Sequence, residues 1–104
     1  MYQIIYVIVD RDKAEDVVEV ATKAGARGGT IVNVKSAEAH ESHHFFPWKS
    51  GSDKEEVFII TKKEFKTKIV EAIKTHLKID EPGNGILFVL DIDEVYGLRQ
   101  ENAE

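Results

Sequence analysis

The sequence contains no cysteine, which excludes disulfides, a catalytic thiolate and cysteine-based zinc sites. Its 14 basic residues are outnumbered by 19 acidic ones, and the net charge of -5 gives no electrostatic support for binding a nucleic acid. The apolar run at residues 2–9 is too short to span a membrane and lacks the leading basic region of a signal peptide. We therefore expect a cytoplasmic protein with no transmembrane segment.

The length of 104 residues and the hydrophobic fraction of 42% fit one domain. We assign residues 1–98 to this domain and residues 99–104 to a frayed C-terminal tail.

The first half of the domain reads as strand, helix, strand. Tyr2–Val9 is rich in β-branched and aromatic residues, which favours a strand. Asp12 and Glu15 have the spacing of a capping box, so we expect a helix to begin there and to end at Gly25. The series Thr30–Lys35 predicts the second strand.

The second half repeats that order. Glu56–Ile60 predicts a strand, and Thr61 with Glu64 forms a second capping-box pattern at the start of a helix. The predicted inner face of this helix consists of Phe65, Ile69, Ile73 and Leu77. A turn at 80–85 then leads into a strand at 86–92.

Between the two halves, residues 36–54 have no sustained hydrophobic period, and loops of this length are usually functional or disordered. The resulting element order predicts an α+β fold. We expect a ferredoxin-like βαββαβ domain with a four-stranded antiparallel sheet and both helices on one face.

The predicted strands are apolar on both faces. In the first strand Ile4, Tyr6 and Ile8 alternate with residues that are equally apolar. A solvent-exposed sheet face, in contrast, carries polar side chains. Two helices can cover only one face, and the other would expose a patch larger than a monomer tolerates. This pattern predicts a homo-oligomer; the alternative is a monomer whose long loop covers the second face.

Two glycine-rich turns are candidate anion sites. Successive glycine amides in AGARGGTIVNVK, residues 24–35, can form a concave nest, and Arg27 can add a guanidinium. The turn EPGNGI, residues 81–86, is also rich in glycine and is the second candidate anion site. In each case the alternative is a purely structural turn or a close packing contact. The candidate ligand residues are Arg27, Gly28, Gly29, Thr30, Gly83, Asn84 and Gly85, with Lys62 at the end of the third strand.

The long loop carries two further candidate sites. Phe45, Phe46 and Trp48 surround a proline, and aromatic residues of this kind anchor protein interfaces unless they pack back on the domain. His40, His43 and His44 lie within five residues together with a glutamate, a set that suits Zn²⁺, Cu²⁺ or Ni²⁺. The signal for a metal is weak because no HExxH pattern is present, and solvated histidines would look the same.

The stretches AGARGGTIVNVK and DEPGNGILFVLDIDEVYGL resemble the PII family of nitrogen-regulatory signalling proteins, and the similarity covers nearly the whole chain. The resemblance implies a homotrimer whose sheets face inward, with an adenine nucleotide (AMP, ADP or ATP) as effector between neighbouring subunits. It further implies that the long loop, the T-loop of that family, docks on a transporter, enzyme or regulator. Such proteins regulate, and we expect no enzymatic activity.

Residue by residue, the resemblance is partial. Gly28 and Thr30 match positions that line the nucleotide cleft, Gly83 and Gly85 match the phosphate turn, and Arg99 matches a basic residue of the C-terminal segment.

The sequence also departs from the family pattern. Ile86 replaces the usual lysine of the phosphate turn, Gly97 replaces a second C-terminal arginine, and the Arg-Gln pair at the base of the loop is Ala39-His40. The loop has no tyrosine to accept a uridylyl group. A mono- or diphosphate, or another small ligand, is therefore as plausible as ATP.

Two other classes of function compete with this interpretation. One is a divalent-metal-binding trimer resembling the divalent-ion tolerance proteins, with the loop histidines as ligands and the glycine turns as structural connectors. The other is an enzyme, for which the sequence offers no combination of nucleophile, base and orienting acid.

Overall fold

The computed structural model describes residues 1–27, 29–34 and 54–98, which contain six regular elements and one 3-10 turn. The first half contains β1 (Tyr2–Asp10), a 3-10 turn (Arg11–Lys13), α1 (Ala14–Lys23) and β2 (Thr30–Val34). The second half contains β3 (Lys54–Lys62), α2 (Lys63–Leu77) and β4 (Ile86–Ile92). This order confirms the predicted succession of elements. None of the helices described is long and apolar enough to cross a lipid bilayer.

The four strands form one antiparallel sheet in the order β2-β3-β1-β4. The central strand β1 pairs with β3 along its whole length and with β4 from Tyr2 to Ile8. Strands β2 and β4 consequently form the two opposite edges of the sheet. The arrangement confirms the predicted ferredoxin-like fold, because the strand order and pairing are those of a split βαβ unit.

The core lies between the helices and one face of the sheet. Ile5, Val7, Val57 and Ile59 point to this face and are fully buried, because they alternate along β1 and β3 with residues of the opposite face. Helix α1 contributes mostly small side chains and α2 contributes larger ones. The buried helix residues are Ala14, Val17, Ala21, Ile69, Ile73 and Leu77.

The opposite face of the sheet, called the open face from here on, is lined by apolar side chains that no helix covers. Its most exposed members are Val32 at 40%, Ile60 at 38%, Phe88 at 38% and Leu90 at 51%. The register places Ile4 beside Ile60 and Leu90, and it places Tyr6 beside Phe58 and Phe88. The expectation that both sheet faces are apolar is therefore confirmed for the residues that the structure describes.

Both predicted capping boxes are wrong. Asp12 lies in the 3-10 turn and not at the N-cap of α1. The helix begins at Ala14, and its N-cap residue is Lys13, which makes no side-chain capping hydrogen bond. Thr61 stays in β3, where it pairs with Gln3, and its hydroxyl contacts the carbonyl oxygen of Lys62 at 3.3 Å. At the second box β3 runs on past the predicted cap because cross-strand pairing satisfies its backbone groups, whereas at the first box a 3-10 turn separates the end of β1 from α1.

Two other boundaries differ from the sequence-based expectation. Phe65, predicted on the inner face of its helix, is 48% exposed because it lies in the first turn of α2, beside the start of β1. Lys54, predicted as the last residue of the loop, is the first residue of β3 and pairs with Asp10 and Val34.

Candidate functional site

The turn at 83–85 owes its two glycines to different physical causes. Gly83 has a φ of +87° and open space around it, so its backbone conformation alone favours glycine. Gly85 has a φ of +141°, and a Cβ there would lie 3.0 Å from a methyl carbon of Val9 and 3.1 Å from the carbonyl oxygen of Ile8. The turn is thus held against the end of β1.

Asn84 links this turn to the end of α2. Its side-chain amide donates hydrogen bonds to the carbonyl oxygens of Leu77 and Lys78 at 3.1 and 3.2 Å, and its backbone N–H donates to Glu81 at 3.3 Å. These carbonyls belong to the helix terminus, where the helix itself supplies no partner. The Asn84 side chain, a candidate ligand contact, therefore has a structural role in this chain.

The first glycine-rich stretch is likewise explained in part by packing. Gly25 has a φ of +120° and follows the last turn of α1, where its N–H donates to Thr22 at 3.0 Å. A Cβ on Gly29 would lie 3.2 Å from both a side-chain carbon of Ile59 and the carbonyl oxygen of Phe58. Arg27 is exposed, and Gly28 lies outside the described residues.

Lys62 and Thr30 lie at different positions along the strand direction. Thr30 pairs with Phe58, whereas Lys62 pairs with Tyr2, four residues further along β3. At about 3.3 Å per strand residue, they are roughly 13 Å apart along the strand direction. Lys62 lies still further from the 83–85 turn, so within one chain the structure does not bring Lys62 to either glycine turn.

The two glycine turns lie at opposite edges of the sheet. Thr30 begins the edge strand β2, and Gly85 precedes the other edge strand, β4. Three interstrand spacings of about 4.8 Å separate these edges by roughly 14 Å. One chain therefore cannot close a small-ligand site between the two turns, and such a site requires the edge of a second copy.

An ion pair that the sequence analysis missed lies beside the 83–85 turn. Lys54 Nζ contacts Asp10 Oδ1, and the two side chains are 6% and 43% exposed. Asp10 ends β1 just beyond Val9, the residue that packs on Gly85. The only available sequence signal was the position of the two charges at strand ends, and their cross-strand pairing depends on a register that the sequence does not reveal.

A surface cavity of about 590 Å³ lies on the helix side of the sheet, beside β2. Its lining residues are Arg11, Asp12, Glu15, Ile31 and Glu55. Three of these carry carboxylates, which repel an anionic ligand. No residue of the 83–85 turn lines this cavity, so it does not correspond to the predicted phosphate site.

Several predicted site residues lie outside the described residues. These are the loop aromatics Phe45, Phe46 and Trp48, the histidines His40, His43 and His44, and the tail residue Arg99. Within the part of the chain that the structure describes, no group of three or more histidine, aspartate or glutamate side chains is arranged to hold a metal ion. The roles of these residues remain predictions.

Comparisons with known proteins agree with this fold. CPII from Thiomonas intermedia K12, solved with ADP, AMP and acetate, matches with a TM-score of 0.67 and 20% identity, over 88% of this chain and 85% of that chain. Arabidopsis thaliana PII, solved with citrate, matches with a TM-score of 0.68 and 24% identity, over 99% of this chain and 83% of that chain. A search of curated proteins found no match. Residues 2–102 match the family described as Nitrogen regulatory protein P-II, and the chain belongs to that family of signal-transduction proteins.

Proposed function

We propose that three copies of this chain associate through their open faces and bind an adenine nucleotide in the clefts between neighbouring copies. Ligand occupancy then biases the conformation of loop 36–54, which engages a partner protein in the cytoplasm. The protein acts as a regulator and not as an enzyme, as members of its family do. The observation that carries the proposal is the position of the two glycine turns at opposite edges of one sheet.

The open face supports association between copies. Tyr6 forms a T-shaped contact with Phe58, with ring centroids 4.6 Å apart, and a tilted contact with Phe88 at 5.4 Å. These rings form an apolar centre that is flanked by Ile60 and Leu90, which are 38% and 51% exposed. Each 100 Å² of apolar surface removed from water contributes about 2.5 kcal/mol, so covering this face stabilises the assembly substantially.

The edge positions of the turns support a ligand site that neighbouring copies share. If the β2 edge of one copy faces the β4 edge of the next, Thr30 and the 83–85 turn line the same cleft. The turn supplies backbone groups in a glycine-rich bend, an arrangement that suits a phosphate. CPII from Thiomonas intermedia K12, which has the same fold, was solved with ADP and AMP.

The residue that follows the turn favours a ligand with fewer phosphates than ATP. Ile86, at the position of the usual family lysine, pairs with Ile8 and belongs to the apolar open face. It therefore adds no cation to the turn, and each lost charge-assisted hydrogen bond costs about 1.5–3 kcal/mol of binding energy. AMP and ADP are thus the first candidates, and a small carboxylate is another because the Arabidopsis thaliana PII structure contains citrate.

The regulatory output requires a difference in ligand affinity between loop conformations. A ligand shifts a conformational equilibrium only by its differential affinity for the two states. Lys54, at the start of β3, joins the end of the loop to Asp10 beside the 83–85 turn, which supplies a physical connection between cleft and loop. Phe45, Phe46 and Trp48 are the proposed docking residues for a transporter, enzyme or regulator.

Calorimetric titration with AMP, ADP, ATP and cyclic AMP tests the ligand proposal. We expect saturable binding of at least one nucleotide to the wild-type protein and none to Phe88→Glu, which places a charge on the open face and separates the copies. Nucleotide binding by a monomeric Phe88→Glu protein would show that the site is not shared between copies. Absence of binding by all four nucleotides to an assembled wild-type protein would remove the nucleotide from the proposal.

A further inference from the structure

Asp10 lies beside the 83–85 turn. It follows Val9, which packs against the turn, since a Cβ on Gly85 would lie 3.0 Å from a methyl carbon of Val9. The register of β1 with β4, continued by two residues beyond its last pair, places Asp10 opposite Asn84. The Cα of Asp10 is therefore one interstrand spacing, ~4.8 Å, from the backbone of the turn.

The Asp10 carboxylate lies on the open face, where it forms an ion pair with Lys54. Side chains alternate along a strand, so Asp10 shares its face with Tyr6 and Ile8. Lys54 Nζ contacts Asp10 Oδ1, and the two side chains are 6% and 43% exposed. Glu56 follows on the same face, two residues or about 6.6 Å further along β3. The pair of Asp10 and Lys54 is electrically neutral, and a carboxylate already engages the ammonium group.

The turn itself supplies no cation on the open face. Ile86, which follows the turn, is apolar, and Asp80 and Glu81, which precede it, are exposed and negative. Lys78 is exposed at the end of α2, on the opposite side of the sheet. Among the described strands, Lys54 is the only lysine at this end of the open face. A phosphate that extends from the turn over the open face consequently meets Lys54 and its partner Asp10.

We infer that Asp10 sets the preference of the cleft for nucleotides with few phosphates, because it holds the Lys54 ammonium in an ion pair for which every further phosphate must compete. The inference rests on the proposed binding of an adenine nucleotide at the 83–85 turn. A phosphate oxygen forms a charge-assisted hydrogen bond with the ammonium only when the carboxylate releases it. The carboxylate also repels each negative charge that is added near the turn. AMP carries the fewest charges and is opposed least, whereas ATP is opposed most.

The variant Asp10→Asn removes the competing carboxylate and leaves Lys54 in place. The pair then changes from neutral to singly positive, so nucleotides bind more tightly, and ATP gains most because it brings the most negative charge. Asp12→Asn is the matched control. It removes one negative charge only two residues away, but this side chain is exposed in the 3-10 turn and lines the cavity beside β2.

The measurement is the ratio of the dissociation constants for AMP and ATP, determined by calorimetric titration of the assembled protein at one fixed salt concentration. In the wild type we expect AMP to bind more tightly than ATP. We expect Asp10→Asn to shift the ratio about tenfold or more in favour of ATP, and Asp12→Asn to shift it less than about twofold.

Two further variants separate this effect from a loss of stability. Lys54→Met keeps the aliphatic stem and leaves the Asp10 carboxylate unopposed beside the turn, so the ratio should shift about tenfold in favour of AMP. Asp10→Asn/Lys54→Met is neutral again, and its ratio should lie within about threefold of the wild type. A less stable fold weakens the binding of both nucleotides together, and it does not shift the ratio in opposite directions in the two single variants.

The outcomes distinguish two kinds of failure. A wild-type protein that binds neither AMP nor ATP removes the proposed nucleotide function, and this inference with it. A wild-type protein that binds ATP more tightly than AMP, or whose ratio is the same in Asp10→Asn, retains the nucleotide function and overturns the role of Asp10. An equal shift in Asp10→Asn and in Asp10→Asn/Lys54→Met overturns the competition for Lys54.

Discussion

Lys54 at the start of β3 forms an ion pair with Asp10 at the end of β1, and this contact joins the end of the long loop to the strand that supports the 83–85 turn. The Lys54 side chain is 6% exposed, so its ammonium group has lost most of its contact with water. A buried cation of this kind depends on its partner, because the cost of desolvation remains when the partner is removed.

Asp10→Asn should therefore destabilise the protein. A fully buried pair costs about 3–5 kcal/mol to break, but Asp10 is 43% exposed, and we expect roughly 1–2 kcal/mol from urea unfolding. Asp12→Asn, an exposed substitution in the adjacent turn, serves as the control and should change stability by less than about 0.5 kcal/mol. Equal stability of the two variants would mean that Lys54 does not depend on Asp10.

Asn84 should stabilise the end of α2 through its side-chain amide. Asn84→Ala removes two hydrogen bonds to helix carbonyls and should cost about 1–2 kcal/mol of unfolding free energy. Asn84→Asp should cost more, because a carboxylate is an acceptor that faces the same two carbonyl oxygens. If the aspartate variant proved as stable as the wild type in urea unfolding, the capping role of the amide would be wrong.

Lys78 ends α2 in a left-handed conformation with a φ of 55°, and it is the only such non-glycine residue among those described. Glycine reaches this conformation without the steric cost of a Cβ, although it loses more entropy on folding. We expect Lys78→Gly to raise the free energy of unfolding by about 0.5–1 kcal/mol. Lys74→Gly, inside the same helix, is the matched control and should lower it by about 1 kcal/mol. Destabilisation by both substitutions would argue against a left-handed terminus.

Tyr6 should give the protein a stability change at alkaline pH. Its pKa is raised from 10.0 to about 12 in the folded state, so its contribution is fully present below pH 10 and is lost as pH rises towards 12. Absorbance titration of tyrosinate should show one component near pH 12 that disappears in Tyr6→Phe. In Glu56→Gln this component should move to lower pH but stay above the ordinary value, because burial remains.

A titration in which Glu55→Gln shifted the same component as far as Glu56→Gln would assign the effect to net charge. We expect no such shift, since the Tyr6 hydroxyl bonds to Glu56 and the register places Glu55 on the other face.

The sequence was sufficient to predict the strands and their apolar character on both faces. The run Tyr2–Val9 is rich in β-branched and aromatic residues, which favours a strand, and its apolar residues at successive positions predict that both faces are apolar. The same local reasoning failed at the helix starts. Thr61 has the right spacing for a cap, yet it stays in β3 because pairing with Gln3 extends the strand.

The candidate site was predicted less completely, because its important contacts depend on cross-strand register. The pairing of Lys54 with Asp10 and that of Tyr6 with Glu56 join residues far apart in the sequence. The glycine turns were found from composition, but Asn84 proved to bond to a helix terminus, which composition does not indicate. Family resemblance suggested candidate positions and left the role of each side chain open.

The association of copies through the open face is the central claim, and equilibrium sedimentation at micromolar concentration tests it most directly. We predict a single species of three chains for the wild type. Phe88→Glu, on the open face, should yield monomers, whereas Phe65→Glu, on the exposed first turn of α2, should leave the three-chain species intact. A wild-type protein that sediments as one chain would contradict the account.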